Sequence, residues 1–346
     1  MRKGFPLKGW FRLPLCVLFA LPAAWPGFAA AKESEVRGYA DPGADVVLYF
    51  NTRQAEEAMD KTLWEELRRE KEAAIAAGGK DRLFETKGRD IEAIVNLRIA
   101  SVTPFRGTVE GVAEITGDLK GDIAKMLESL KKNNGPAPKV DRRDEGTFYN
   151  FNLPGGEKSP PVDAMFVPIG NNRIHFRANI APQGEKLAMR PLEAVSGGGA
   201  SKLPARFYGG AASFILAVRT EKFAGLPLPS GDGRELAEFL QQMKTLCLSG
   251  EVRGVNLLVD GEFSFQDIRT AGRFAGQAQL FLQRLALMTG SAAPKTVMKG
   301  GEVRISFPVN IAHTWRMLTN TTNRLEQAGK EEEKKAKDKP EAPESP

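Results

Sequence analysis

Apolar positions along this chain switch repeatedly between a period of two and a period near four, and the switches mark out its elements. Residues 45–52 read Asp-Val-Val-Leu-Tyr-Phe-Asn-Thr, a β-rich run closing on Thr52; such β-branched and aromatic residues suit a pleated, half-buried surface. From Arg53 to about Ala77, Ala55, Met59, Leu63 and Leu67 recur every four residues amid dense charge, and Gly78-Gly79 follows. That pattern predicts a long helix. Residues 94–99 predict a strand, and 108–116 its hairpin partner, alternating with Glu110 and Glu114 outward. Leu119, Ile123, Met126, Leu127 and Leu130 fall on one face of a second helix, and 148–153 returns as a strand.

The same β-α-β-β-α-β order then recurs. Residues 214–220 match 46–52 down to the terminal Thr220, and a helix from about Arg234 sets Leu236, Phe239, Leu240, Met243 and Cys247 on one stripe. Val255-Asn256-Leu257 repeats Val95-Asn96-Leu97 and leads to Asp260-Gly261. Asp-Gly between alternating runs predicts a hairpin turn, because both turn positions need positive φ. Phe274, Ala278, Phe281, Leu282 and Leu285 mark another long helix, and 303–307 before Pro308 mirrors 149–153 before Pro154. The first half carries an extra hairpin, 162–168 with 173–178, closed by Asn171-Asn172; the second ends in an extra helix near 312–325.

The expected fold class is therefore α+β: two tandem ferredoxin-like βαββαβ modules, antiparallel sheets with helices on one face. The modules would span 40–190 and 211–325, joined by a Gly-rich linker at 191–210 that is flexible by composition. A charged tail, 326–346, lacks aromatic and β-branched residues and is expected to be disordered. This arrangement resembles a loose group of exported bacterial proteins of unknown function. Their duplicated α+β modules each begin with a strand like 45–52 and carry an amphipathic helix like 268–287. The resemblance implies export and duplication, and it brings no catalytic residue.

Composition changes this picture at one end. Arg2, Lys3, Lys8 and Arg12, with no acid among them, precede an apolar stretch from Leu13 to about Ala24, and Ala29-Ala30-Ala31 stands before Lys32. These are the parts of a secretory signal peptide over 1–31, cleaved between Ala31 and Lys32. The stretch is shorter than the roughly 20 residues of a span and is broken by Pro14 and Pro22. The expected location is the periplasm or the medium, with no stable transmembrane span after cleavage. Cys247 is then the only remaining cysteine, which excludes an intramolecular disulfide and predicts a buried thiol on a helix.

The net charge of +6, from 49 Lys and Arg against 43 Asp and Glu, falls to +2 once those four cations leave. The remaining charges are interspersed, without a basic stripe, so nucleic acid is not an expected partner.

Candidate chemistry is sparse. Residues 196–202 miss the Gly-Lys-Ser/Thr end of a phosphate loop and read as linker. No Gly-x-Ser-x-Gly elbow occurs, and the two histidines, His175 and His313, lie far apart in the chain, too few for catalytic zinc. No catalytic, cofactor-binding or metal-binding residue is expected, and no cofactor. One feature stands out on 173–178. With Ile174 and Phe176 toward the core, Arg173, His175 and Arg177 share the other face, a cationic strip of the kind that holds carboxylate or phosphate; a solvated sheet face is the alternative. The expected function is an exported, non-enzymatic protein that binds or scaffolds some envelope component. The alternative is a hydrolase-type enzyme with its site in the inter-module groove. The ligand, the partner protein and the oligomeric state stay open at this level.

Overall fold

Strand β1 (Val46–Asn51) has two neighbours, and they decide the architecture. It pairs antiparallel with β2 (Ile91–Val102) on one side and with β8 (Phe214–Arg219) on the other. The computed structural model describes residues 35–41, 43–77, 90–102, 105–132, 136–144, 146–154, 160–180, 212–223, 234–314 and 316. Among these, twelve strands form one continuous antiparallel sheet. Outward from β2 run β3 (Phe105–Ile115), β7 (Arg173–Ile180), β6 (Val162–Ile169), β5 (Gly146–Leu153) and β4 (Lys139–Arg143). Outward from β8 run β9 (Met243–Arg253), β10 (Asn256–Phe265), β12 (Glu302–Asn310) and β11 (Lys295–Lys299).

Two ferredoxin-like modules are thus not what the chain builds. A split βαβ unit needs helical crossovers that bring strands back parallel. Here helices α1 (Thr52–Ala58) and α2 (Lys61–Ala77) separate β1 from β2, yet those strands pair directly and antiparallel. Helix α4 (Arg234–Gln242) stands in the same way between β8 and β9. Helix α3 (Leu119–Lys132) follows β3, and α5 (Ile268–Thr289) follows β10. The halves meet along β1 and β8 in near-palindromic register, Val46 opposite Val218, Leu48 opposite Leu216 and Phe50 opposite Phe214. The threonines that end these strands do matching work. Thr52 Oγ1 accepts the Ile91 N–H at 2.9 Å and donates to the Ile91 carbonyl at 3.2 Å, while Thr220 Oγ1 donates to the Met243 carbonyl.

Three local expectations are also corrected. The helix from Arg53 breaks at Met59-Asp60, because Asp60 accepts the N–H groups of Thr62 and Leu63 at 3.0 Å and so caps a fresh helix. The helix from Arg234 ends at Gln242, and Met243 and Cys247 lie on β9. A spacing of four fits both a helical stripe and one face of a strand, which is why periodicity alone misplaced them. Asp260-Gly261 lies inside β10, opposite Ser249 and Leu248, and the turn falls at Gly254, whose φ is +61°. The expected extra hairpin forms as β6 and β7, inserted between β3 and β5. The proposed signal segment, the linker at 191–210, the tail from 326 and most of 312–325 lie outside the described residues; 311–314 and 316 are helical.

The core has two main bodies. A 3-10 turn, Glu35–Tyr39, sets Val36 and the following Ala40 against Val47, Tyr49, Ile94, Val112, Ile215 and Cys247 at the sheet centre. Asn96, buried, holds the turn down: its amide donates to the Tyr39 carbonyl at 2.9 Å and accepts the Asp41 N–H at 2.8 Å. Farther out, α4 and α5 cover β9, β10 and β12 through Phe239, Met243, Phe265, Ala271, Leu282, Val303 and Ile305.

Candidate functional site

Beside α5 the second core borders an open, largely apolar groove. The helix starts at Asp267, whose carboxylate accepts the N–H groups of Arg269 and Thr270 at 2.8 and 2.9 Å, and it ends at Gly290 in the left-handed conformation. Phe274 is the centre of an aromatic cluster, 4.7 Å from Phe263, 5.0 Å from Phe265 and 5.4 Å from Phe239 between ring centroids. Beside this cluster lies a cavity of about 420 Å³, bounded by Phe239, Leu248, Val259, Gly261, Phe263, Phe274, Gln277, Ala278, Phe281, Leu282, Ile305 and Phe307. Gln277 is the only polar side chain among the described residues of that lining. A cation adjoins it, since the Arg273 guanidinium stands 5.5 Å from the centroid of the Phe239 ring.

Two residues keep the space open. At Gly261 a Cβ would stand 2.6 Å from Cε2 of Phe263, so only glycine lets that ring lie flat over the strand. Phe281 lines the cavity yet is 67% exposed, placing it at the mouth. The volume falls in the range of small-molecule sites, and a mostly apolar wall with few polar groups is their usual make-up.

A second cluster is electrostatic and does not line the cavity. Glu56 on α1 and Asp90, just before β2, are both buried, and Glu56 Oε2 and Asp90 Oδ1 have no hydrogen-bond partner. Burial pushes the Glu56 carboxyl up to about 7, with Asp90 adding to the shift, Arg68 opposing it and Glu57 adding a little more. Asp90 is pushed up to about 6, again first by burial, with Arg53 opposing and Glu57 adding. The Asp90 backbone is pinned by Thr116, whose hydroxyl accepts its N–H at 2.8 Å and whose N–H donates back to its carbonyl at 3.0 Å. Perturbed carboxyls can mark chemistry, but no group of three or more His, Cys, Asp or Glu is arranged for a metal ion among the described residues.

The cationic strip on β7 does share one face, as alternation requires. Register places Glu114, Val112 and Glu110 of β3 directly opposite Arg173, His175 and Arg177. Arg173 pairs with Glu114 at 3.1 Å and Arg177 pairs with Glu110, so each guanidinium already meets a carboxylate. His175 is buried edge-on against Tyr39 at 5.2 Å, with no hydrogen-bond partner on either ring nitrogen. Burial, and then the neighbouring Arg173, hold its pKa down near 4, so the imidazole is neutral at pH 7. His313 is exposed, its N–H donating to Asn310 Oδ1 at 2.9 Å. Cys247 is buried in the central core. Ala31 and Lys32 lie outside the described residues. No helix among the described residues is long and apolar enough to cross a membrane.

No family model and no curated protein matches this chain. Solved structures of TP0453 are similar in outline. Crystal form I matches at 12% identity with a TM-score of 0.40, over 84% of this chain and 98% of that one. Crystal form III gives 12% and 0.40 over 85% and 100%. Likeness at this level fixes neither topology nor function, and the cavity must be judged by its own walls.

Proposed function

We propose that the protein is an exported, non-catalytic binding protein that holds one small apolar or amphipathic molecule between α5 and the outer strands of the sheet. The observation that carries this is the cavity of about 420 Å³, with eleven apolar lining residues and one glutamine. Burial of apolar ligand surface there is favourable by roughly 25 cal/mol per Å² before the costs of binding. The apolar walls suit a ligand with a hydrocarbon or aromatic body. Export is supported by the signal-like residues 1–31.

The test is titration with a fluorescent polyene fatty acid, alongside the variant Ala278→Phe, which places a ring inside the cavity. Saturable one-to-one binding by the native protein, weakened at least about tenfold in a variant of unchanged thermal stability, is expected. Equal binding by both, or none by the native protein, refutes the reading. Native mass spectrometry of freshly purified material gives an independent readout, because a retained small molecule appears directly as added mass.

A further inference from the structure

Helix α5 holds 22 residues without one Asp or Glu, and its charges are Arg269, Arg273 and Arg284. The face toward the sheet uses Ala271, Phe274, Ala278, Leu282 and Leu285. A helix with one buried face carries polar residues on the other, but α5 does not follow that rule. Leu280 is 59%, Phe281 67%, Leu287 86% and Met288 61% exposed. At 100° per residue, Leu280 and Leu287 fall on the same outward face as Arg269 and Arg284, while Phe281 and Met288 form the shoulder beside the cavity. The outward surface therefore combines large apolar side chains with Arg269 and Arg284, and the helix itself brings no carboxylate to it.

We propose that this outward face of α5 docks on an anionic lipid surface. Leu280, Phe281, Leu287 and Met288 enter the acyl boundary, and Arg269 and Arg284 reach the phosphate layer along their apolar stems. Charge complementarity selects this occupant. Each cation near an anionic leaflet adds favourably to binding, whereas a second copy packed face to face would set Arg269 and Arg284 of one helix against the same cations of the other. Docking would also set Phe281, at the cavity mouth, against the lipid. The proposal rests on exposure and charge, and it holds whether or not the cavity is occupied.

The experiment is cosedimentation of the full chain with phosphatidylcholine vesicles, with and without phosphatidylglycerol, at low and high salt. Two variants are compared: Leu287→Glu with Met288→Glu, and Arg284→Glu. All these side chains are exposed or at the surface, and matching thermal unfolding checks that the fold is kept. Residues 1–31 are common to every sample, so differences between variants report on α5. The native protein is expected to prefer anionic vesicles, more weakly at high salt; the double variant should lose about tenfold or more, and Arg284→Glu should lose affinity and salt dependence together. Equal binding by native protein and variants overturns the proposal. So does indifference to phosphatidylglycerol, or a native dimer that Leu287→Glu with Met288→Glu makes monomeric. Ala278→Phe, which tests the cavity, is expected to bind vesicles as the native protein does, so the two readings fail separately.

Discussion

Replacing Glu56 by Gln is expected to make the protein more stable at every pH above about 5, with the gain growing up to about pH 7. The Glu56 carboxyl is buried, its Oε2 is unpartnered, and its pKa is raised from 4.5 to about 7. The folded state therefore holds a proton that the unfolded chain releases near pH 4.5. Stability from this group is fully present below that pH and is lost as pH rises toward 7. At 1.36 kcal/mol per pKa unit, a shift from 4.5 to about 7 amounts to about 3 kcal/mol at pH 8. Arg53, Glu57, Arg68 and Asp90 are the charged groups that act on the pair from α1, α2 and the start of β2. Their interactions with the Glu56 charge are part of the shift, and Glu56→Gln removes them together with that charge. Urea unfolding by circular dichroism between pH 4 and 8 measures the difference directly. The two proteins should match near pH 4, with the variant gaining about 2–3 kcal/mol by pH 8. Parallel curves over the whole range would show that the carboxyl is solvated in the folded state and would refute the reasoning.

His175 should give the opposite slope. Its pKa is held near 4 in the fold, so the unfolded chain takes up the extra proton and native stability falls as pH drops from about 6.5 to 4; His175→Phe should remove that slope in the same urea series. Asn96→Leu leaves the Tyr39 carbonyl and the Asp41 N–H without their partner and is expected to cost about 2–3 kcal/mol, with faster hydrogen exchange at residues 35–41. Gly261→Val must displace the Phe263 ring, so it should weaken fatty-acid binding and lower the thermal midpoint together, by about 1–3 kcal/mol.

Element positions were largely legible in the sequence, while strand neighbours were not. Val46 to Asn51, the alternating run ending at Ile115 and the stripe through Phe274 and Leu282 each bury one side of a sheet or helix, and burial imposes a period. Which strand lies beside which is settled by long-range packing that leaves no local period, so β1 pairing with β8 was invisible. The strip Arg173, His175, Arg177 and the acids Glu110 and Glu114 were both readable, but only register shows that they face each other. Asp-Gly usually makes a turn, yet Gly261 lies within β10 and accommodates the Phe263 ring two residues on. The cavity could not be seen, since the same apolar stripe describes a closed core and one bordered by an open groove.

The seam between β1 and β8 has a consequence for any attempt to divide this molecule. Its pairs are nearly symmetric about Leu48 and Leu216, so each half presents an edge complementary to a copy of itself. Within one chain, covalent linkage makes that pairing intramolecular and keeps both edges covered. Either half expressed alone would carry a bare apolar edge, Val46 to Phe50 or Phe214 to Val218, of the kind that recruits another strand. Such fragments are expected to form symmetric dimers or to polymerise, and light scattering of residues 212–316 alone would show it. In this sense the molecule is a dimer whose two partners happen to share one backbone.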